Sequence, residues 1–323
     1  MSVSGPTAAA NGSAEDVLAA AWEKLPAQYR MPEHAPSLAE AQRFCRELAE
    51  SHYENFHVAT WFLPRRLRPH FQSIYAYCRI SDDLGDEVGN PQQSLALLDF
   101  WNGELDACYR GITRHPVFVA LAETIRVCNI PKEPFAALLV AFRQDQTVAR
   151  YRTMEDLFGY CRNSANPVGH LVLYACGYRE PGLFTLSDFT CTALQLANFW
   201  QDVRDDDRSR NRIYLPLADM ERFGVTEQQI HDQRFTAEFR NLMEYEVEFA
   251  QKLFAQGLPL LGRVDRELAV DLQLFSSGGQ EILRAIASQN YNVLRSRPVI
   301  SKPRKAALLL RAFAAKLTAR QAA

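Results

Sequence analysis

The chain of 323 residues reads as an all-α protein, and three observations carry that reading. Apolar residues recur at helical spacing along nearly the whole chain, alternating strand-like runs are scarce, and no Asn-Gly hairpin falls between β-branched runs. Hydrophobic residues make up 47% of the composition, ample for a buried core, and no linker is long enough to mark a domain boundary. The expectation is one helical bundle over residues 15–323 with its site in the bundle core, preceded by a disordered segment, 1–14, rich in Ser, Ala and Gly.

The elements follow in order. Ser37-Leu38-Ala39-Glu40 is a capping box, so a helix opens there and runs toward Ser51. Helical spacing then covers roughly 68–88, 91–110, 115–129 and 132–150. Thr153-Met154-Glu155-Asp156, the acidic form of the box, opens the next helix. That helix carries an oddly polar, small-residue stretch from Tyr160 to Gly169, in which Pro167 removes a backbone bond and should kink it, and Gly169 permits close approach. Further helices are read at 186–208, 236–256, 266–289 and 303–319, and Pro131, Pro134, Gly177, Pro181 and Gly182 fit short turns.

Charge and cysteine usage exclude several classes. A formal net charge of −2 leaves no general nucleic-acid footprint. The seven cysteines form no CxxC pair and sit in apolar helical contexts, as reduced core thiols of a cytosolic protein would. No apolar run approaches the ~18 residues that a membrane span needs, and the N-terminus lacks a basic region followed by an apolar core. No Ser/His/Asp arrangement, glycine-rich phosphate loop or HExxH occurs. Residues 302 to 320 hold Lys302, Arg304, Lys305, Arg311, Lys316 and Arg320 with no acidic residue among them. Two readings stand for this stretch: an ordinary packed helix, or a peripheral helix on anionic lipid at the inner face of a membrane.

One short acidic pattern occurs twice: Asp82-Asp83-Leu84-Gly85-Asp86 and Asp202-Val203-Arg204-Asp205-Asp206. Four residues advance a helix by about 400° and 6 Å, so Asp82 shares a face with Asp86, and Asp202 with Asp206. Like charges at that spacing repel, more so when buried. A run of charges is more often a solvated helix face, but Phe71, Ile74, Tyr77 and Ile80 before the first pattern and Leu196, Phe199 and Trp200 before the second argue for burial. Carboxylates there suit a hard cation such as Mg²⁺ that bridges to substrate phosphates, which predicts two helices facing each other across a diphosphate. Arg79, three residues before Asp82, either pairs with an aspartate or forks onto a phosphate. His52 and His57 flank Phe56, where lone histidines are more often structural than catalytic.

From about residue 40 to 310 the chain resembles the squalene/phytoene synthase family, all-α enzymes that join or rearrange isoprenoid diphosphates. His52-Tyr53-Glu54-Asn55-Phe56 through Leu63-Pro64 is similar to the family's substrate-contacting first helix. Tyr75 through Asp86 matches its first aspartate motif, with Tyr75 and Arg79 in diphosphate-contacting positions. Gln195 through Asp206, followed by Arg212-Ile213-Tyr214-Leu215-Pro216, matches the second. Tyr160 falls on the catalytic tyrosine, and Tyr291 on a C-terminal tyrosine near the diphosphate. The resemblance implies Mg²⁺ held by Asp82, Asp86, Asn198, Asp202 and Asp206, and aromatic faces such as Phe56, Phe62, Phe199 and Trp200 along a cation-stabilising cavity.

Two positions depart from the family pattern. Asn166 and Pro167 replace the usual Gly-x after the tyrosine, and Gln201 replaces the basic residue before the second motif. Both variants resemble bacterial hydroxysqualene synthases of hopanoid pathways, which remove diphosphate from presqualene diphosphate and let water capture the rearranged cation without NADPH. Loss of a cation at 201 argues for one bound diphosphate, and Asn166 and Gln201 become candidates to hold the water, with Tyr160 accepting its proton or guiding the diphosphate. Three alternatives stay open: a presqualene, squalene or phytoene synthase condensing two prenyl diphosphates, a terpene cyclase, and a non-catalytic helical scaffold. The partners implied are the diphosphate substrate and the enzymes upstream and downstream in the squalene pathway.

Overall fold

The computed structural model describes residues 14–51 and 64–321. Its helices are α1 (Ala14–Trp22), α2 (Leu38–Ser51), α3 (Arg68–Asp86), α4 (Pro91–Tyr109), α5 (Pro116–Cys128), α6 (Glu133–Gln144), α7 (Met154–Ser164), α8 (Asn166–Ala175), α9 (Pro181–Arg210), α10 (Leu217–Phe223), α11 (Glu227–His231), α12 (Ala237–Gly257), α13 (Arg266–Ser288) and α14 (Lys302–Gln321). Among the described residues the only β-type pairing is one isolated parallel bridge, Arg150 to Ile213. The all-α expectation holds.

Local chemistry sets the helix starts. The Ser37 amide donates to the Glu40 carboxylate at 2.8 Å, the backward half of the capping box that opens α2. Asn90 caps α4 by accepting from the Gln93 amide, with Pro91 in the first turn, where a missing N–H costs nothing. Thr153 and Asp156 complete the box at α7. Asn211 closes the 30-residue α9 in the left-handed region, which turns the chain back toward the start of α7.

Three boundaries differ from the sequence expectation. The helix expected at 186–208 begins at Pro181, so Pro181 and Gly182, read as turn residues, lie in the first turn of α9. The apolar spacing of 132–150 carries helix only to Gln144. Beyond it the Asp145 carbonyl accepts from Arg212 at 2.8 Å and the Arg150 backbone pairs with Ile213, so tertiary bonds replace helical ones. The kink expected at Pro167 is a full break: α7 ends at Ser164, Ala165 joins the two helices, and Pro167 sits in the first turn of α8. Gly169 lies against α9, where a Cβ would come within 2.6 Å of Cys191 Sγ.

The buried side chains form two main cores. The first joins α1 to α6 around an aromatic cluster in which Tyr77 meets Phe135 at 5.0 Å and Trp101 meets Phe118 at 4.6 Å. The second gathers α7, α9, α12 and α13 around Trp200, Phe239 and Phe254. All seven cysteines are free thiols, as expected, and burial pushes those of Cys45, Cys78 and Cys161 up to about 12. The helix α3 belongs to the first core and α9 to the second, and the candidate site lies where these two helices come together.

Candidate active site

A cavity of about 460 Å³ is lined by α3, α7 and α9 together with the ends of α6 and the strand-like segment after α9. The face of α3 supplies Tyr75, Arg79, Asp82 and Asp86, and the face of α9 supplies Gln195, Asn198, Phe199, Asp202 and Asp206, with steps of three or four residues apart from the adjacent Asn198 and Phe199. Tyr160, Asp145, Arg210, Arg212 and Tyr214 close the wall. The two acidic pairs therefore share one cavity. His52 and Phe56, and with them Phe62, lie outside the described residues.

Burial and the neighbouring Asp86 push the Asp82 carboxyl up to about 7, and burial and Asp202 do the same to Asp206. Arginines offset part of this repulsion. Arg210 pairs with Asp86 at 2.6 Å, with Arg212 at 4.0 Å from the same carboxylate. Arg79 lies 3.8 Å from Asp82 but is held chiefly by Asp83, whose Oδ2 accepts from Arg79 Nε at 3.1 Å and from the Tyr29 hydroxyl at 2.6 Å. Arg297, from the segment between α13 and α14, forks onto Asp202, with Nη2 donating at 3.0 Å.

These residues fit a divalent cation. The donors are carboxylate and amide oxygens, and two carboxyls held near 7 show negative charge that the arginines leave partly unmet. Among the described residues no three ligating groups converge on one point, so the pattern suits cations that complete their shell with water and substrate phosphate rather than an all-protein cage.

Tyr160 stands in an aromatic cage, 5.6 Å from the Tyr151 ring and 6.1 Å from those of Phe199 and Tyr214. Its hydroxyl donates to Asp145 Oδ2 at 3.0 Å. Burial pushes the Asp145 carboxyl up to about 6, against the pull of Arg212 at 4.0 Å and of the Tyr160 hydroxyl. Burial likewise holds the Tyr160 phenol well above its ordinary value, so it is a neutral donor.

Four sequence expectations need correction. Gln201 is 5% exposed and its amide is spent on structure: Nε2 donates to the Pro298 carbonyl at 2.6 Å and Oε1 accepts from Arg297 at 3.0 Å. The cation missing at position 201 is thereby restored in space, because Gln201 holds Arg297 over Asp202. Asn166 is buried and its Oδ1 accepts from Thr192 at 3.0 Å, an α8 to α9 tie outside the cavity lining. Trp200 is fully buried in the second core rather than facing the cavity, a consequence of its lying one residue beyond Phe199 on the helix. Tyr291 is placed beside Arg240 and Glu244, its hydroxyl 3.4 Å from the Glu244 carboxylate, and does not line the cavity. Sequence reasoning missed Asp145 and Arg297. Asp145 ends a helix with no acidic partner in the near sequence, and Arg297 lies 95 positions from the carboxylate that it pairs with.

Comparison with known proteins accords with this geometry. The family profile for squalene/phytoene synthase matches residues 49–304. A 15-cis-phytoene synthase from Synechocystis is 30% identical over 284 residues, covering 83% of each chain. Another from Synechococcus elongatus is 30% identical over 285 residues, covering 83% of this chain and 91% of its own. The crystal structure of squalene synthase HpnC from Alicyclobacillus acidocaldarius superposes with a TM-score of 0.76 at 45% identity, over 84% of this chain and 99% of that one. A ligand-bound dehydrosqualene synthase shares the fold, with a TM-score of 0.77 at 24% identity over 86% of this chain and 96% of its own. With its paired aspartate helices and a match over most of its length, the chain is an isoprenoid synthase and belongs to the squalene/phytoene synthase family.

Proposed function

We propose that the protein converts presqualene diphosphate to hydroxysqualene, releasing diphosphate without consuming NADPH. The observation that carries the reading is the 45% identity to squalene synthase HpnC along 99% of that chain, against 30% to the phytoene synthases, which favours a squalene-type over a phytoene-type enzyme. The wall of the cavity supports it, because water capture needs a group to take a proton and Tyr160 with Asp145 provides one.

Asp82, Asp86, Asn198, Asp202 and Asp206 would hold Mg²⁺, which when bound neutralises charge on the leaving diphosphate. The chain's own residues do the rest. Arg79, Arg210, Arg212 and Arg297 stand beside the carboxylates and orient the diphosphate oxygens through charge-assisted hydrogen bonds. Phe199 and Tyr214, stacked with ring centroids 3.7 Å apart, turn an apolar π-surface toward the cavity and shield a carbocation from bulk water. As the oxygen of a water bonds to the cation, one of its O–H bonds breaks. The proton passes to Tyr160 Oη while the tyrosine's own proton moves to Asp145 Oδ2.

Product analysis tests the reading. Presqualene diphosphate with Mg²⁺ should give hydroxysqualene equally with and without NADPH, and farnesyl diphosphate alone should give little product. Squalene formed only with NADPH, or rapid condensation of farnesyl diphosphate, refutes it. The second reading, head-to-head condensation of two prenyl diphosphates, is favoured by the phytoene synthase relatives and by Arg297, which returns a cation to the side of Asp202.

A further inference from the structure

The C-terminal helix α14 divides its side chains between two uses. One face clamps the helix onto α13. Lys316 is 3% exposed and donates to Asp271 at 2.8 Å, Arg304 forks onto Glu281 at 2.6 and 3.0 Å, and Ala312 is buried between these two ties. The opposite face holds large apolar side chains in the open: Leu310 at 69%, Phe313 at 54% and Leu317 at 49% exposure. At 100° per residue these three fall within about 60° of one another on the helix, so they form one stripe. Cations flank the stripe. Arg311 lies about 100° to one side, and Lys302 and Lys305 about 80–140° to the other. All three are exposed, and no acidic residue occurs from 302 to the end of the chain. Lys302 thus stands beside the stripe, while Lys305 and Arg311 stand at the edge of the clamped face, within about 20° of Lys316 and Arg304 respectively, with their side chains exposed.

We infer that the outer face of α14 is a docking surface for an anionic lipid bilayer. Apolar side chains at the centre of a face enter the acyl boundary, and cations at its edges meet the phosphate layer. A face with Leu310, Phe313 and Leu317 in the middle and Lys302, Lys305 and Arg311 at the rim has that order. The clamp holds the helix on the body of the protein with its stripe outward, so binding needs no unfolding of the bundle. Complementary charge favours an anionic surface over a second copy of this helix, whose cations would oppose these.

The experiment uses the full-length protein and sedimentation with vesicles of phosphatidylglycerol in phosphatidylcholine, compared with phosphatidylcholine alone. The wild type should bind the anionic vesicles preferentially, and added salt should weaken binding. Leu310→Glu with Phe313→Glu, and separately Lys302→Glu with Lys305→Glu and Arg311→Glu, should each lower binding by about tenfold or more with helix content unchanged. The difference between Phe313→Trp and wild-type emission, which removes the signal of the four native tryptophans, should shift to the blue on anionic vesicles only, a readout that does not depend on a destabilised variant. Absence of binding, binding unaltered in both charge-introducing variants, or an emission that does not move would overturn the inference. So would wild-type self-association abolished by Leu310→Glu, which would assign the face to a second copy of the chain.

Discussion

Asp82 and Asp206 carry the clearest chemical consequence of the site. Each carboxyl is pushed up to about 7 by burial and by the aspartate one turn away, so at pH 6 both are mostly protonated in the cation-free protein. A divalent cation takes carboxylates, so its uptake must displace those protons. Apparent Mg²⁺ affinity should therefore climb as pH rises through about 7, by up to tenfold per unit for each proton released, and level off above about pH 8. Calorimetric titration in buffers of different ionisation enthalpy reads the proton release directly, and heats that ignore the buffer would contradict the claim. Asp145 makes a second residue-level prediction. If it serves Tyr160, then Asp145→Asn and Tyr160→Phe should each lower kcat by about 10²-fold or more, with KM little changed, and the double variant should be no worse than either single one. Additive losses would separate the two side chains. The carboxylate pairs and Arg79 were legible in the sequence because their spacing is local, whereas Tyr160 was named by its likeness to the family's tyrosine and by no spacing of its own. Arg297 was not, because it reaches Asp202 only after α12 and α13 have folded back on α9, and no short-range pattern marks it.

Among the elements, helix positions followed from apolar spacing, and α4, α12 and α13 end within a residue or so of where the pattern placed them. The failures share a cause. Where α6 stops at Gln144 the following backbone is bonded to residues 60 or more positions away, and the local sequence holds no record of those bonds. The short α10 and α11 show no helical period in the sequence, although Thr226 and Gln229 form a capping box, because five to seven residues are too few for one. Gly169 tests the packing of α8 on α9. Alanine there should gain up to about 1 kcal/mol of helix propensity, but its methyl meets Ser187 Oγ and Cys191 Sγ, and overpacking costs about 1–3 kcal/mol. The net should be destabilisation by about 1 kcal/mol, seen as a lower denaturant midpoint, and a midpoint equal to or above wild type would show that Ser187 and Cys191 give way.

At the scale of the whole molecule, one buried acid marks the second core. Glu246 is fully buried on α12, both its oxygens lack a hydrogen-bond partner, and burial raises its carboxyl to about 9. The unfolded chain ionises this group near 4.5 and the folded one near 9, so its contribution to stability is complete below about 4.5 and is lost as pH climbs through about 9. Glu246→Gln should therefore flatten the decline of unfolding free energy between pH 6 and 9, and parallel pH profiles for variant and wild type would disprove the assignment.

The two-core construction bears on the molecule in a different way. One acidic pair hangs from the N-terminal core and the other from the C-terminal core, with the cavity along the seam. A ligand that engages both pairs works as a rivet between the two cores, across a cavity whose facing carboxylates repel one another. Inorganic diphosphate with Mg²⁺ should then protect the seam far more than either component alone. At a hundred times its dissociation constant it would add about 2.7 kcal/mol to the unfolding free energy. Amide exchange should slow on α3 and α9 together, because the ligand fastens the two acidic faces to each other as well as to itself.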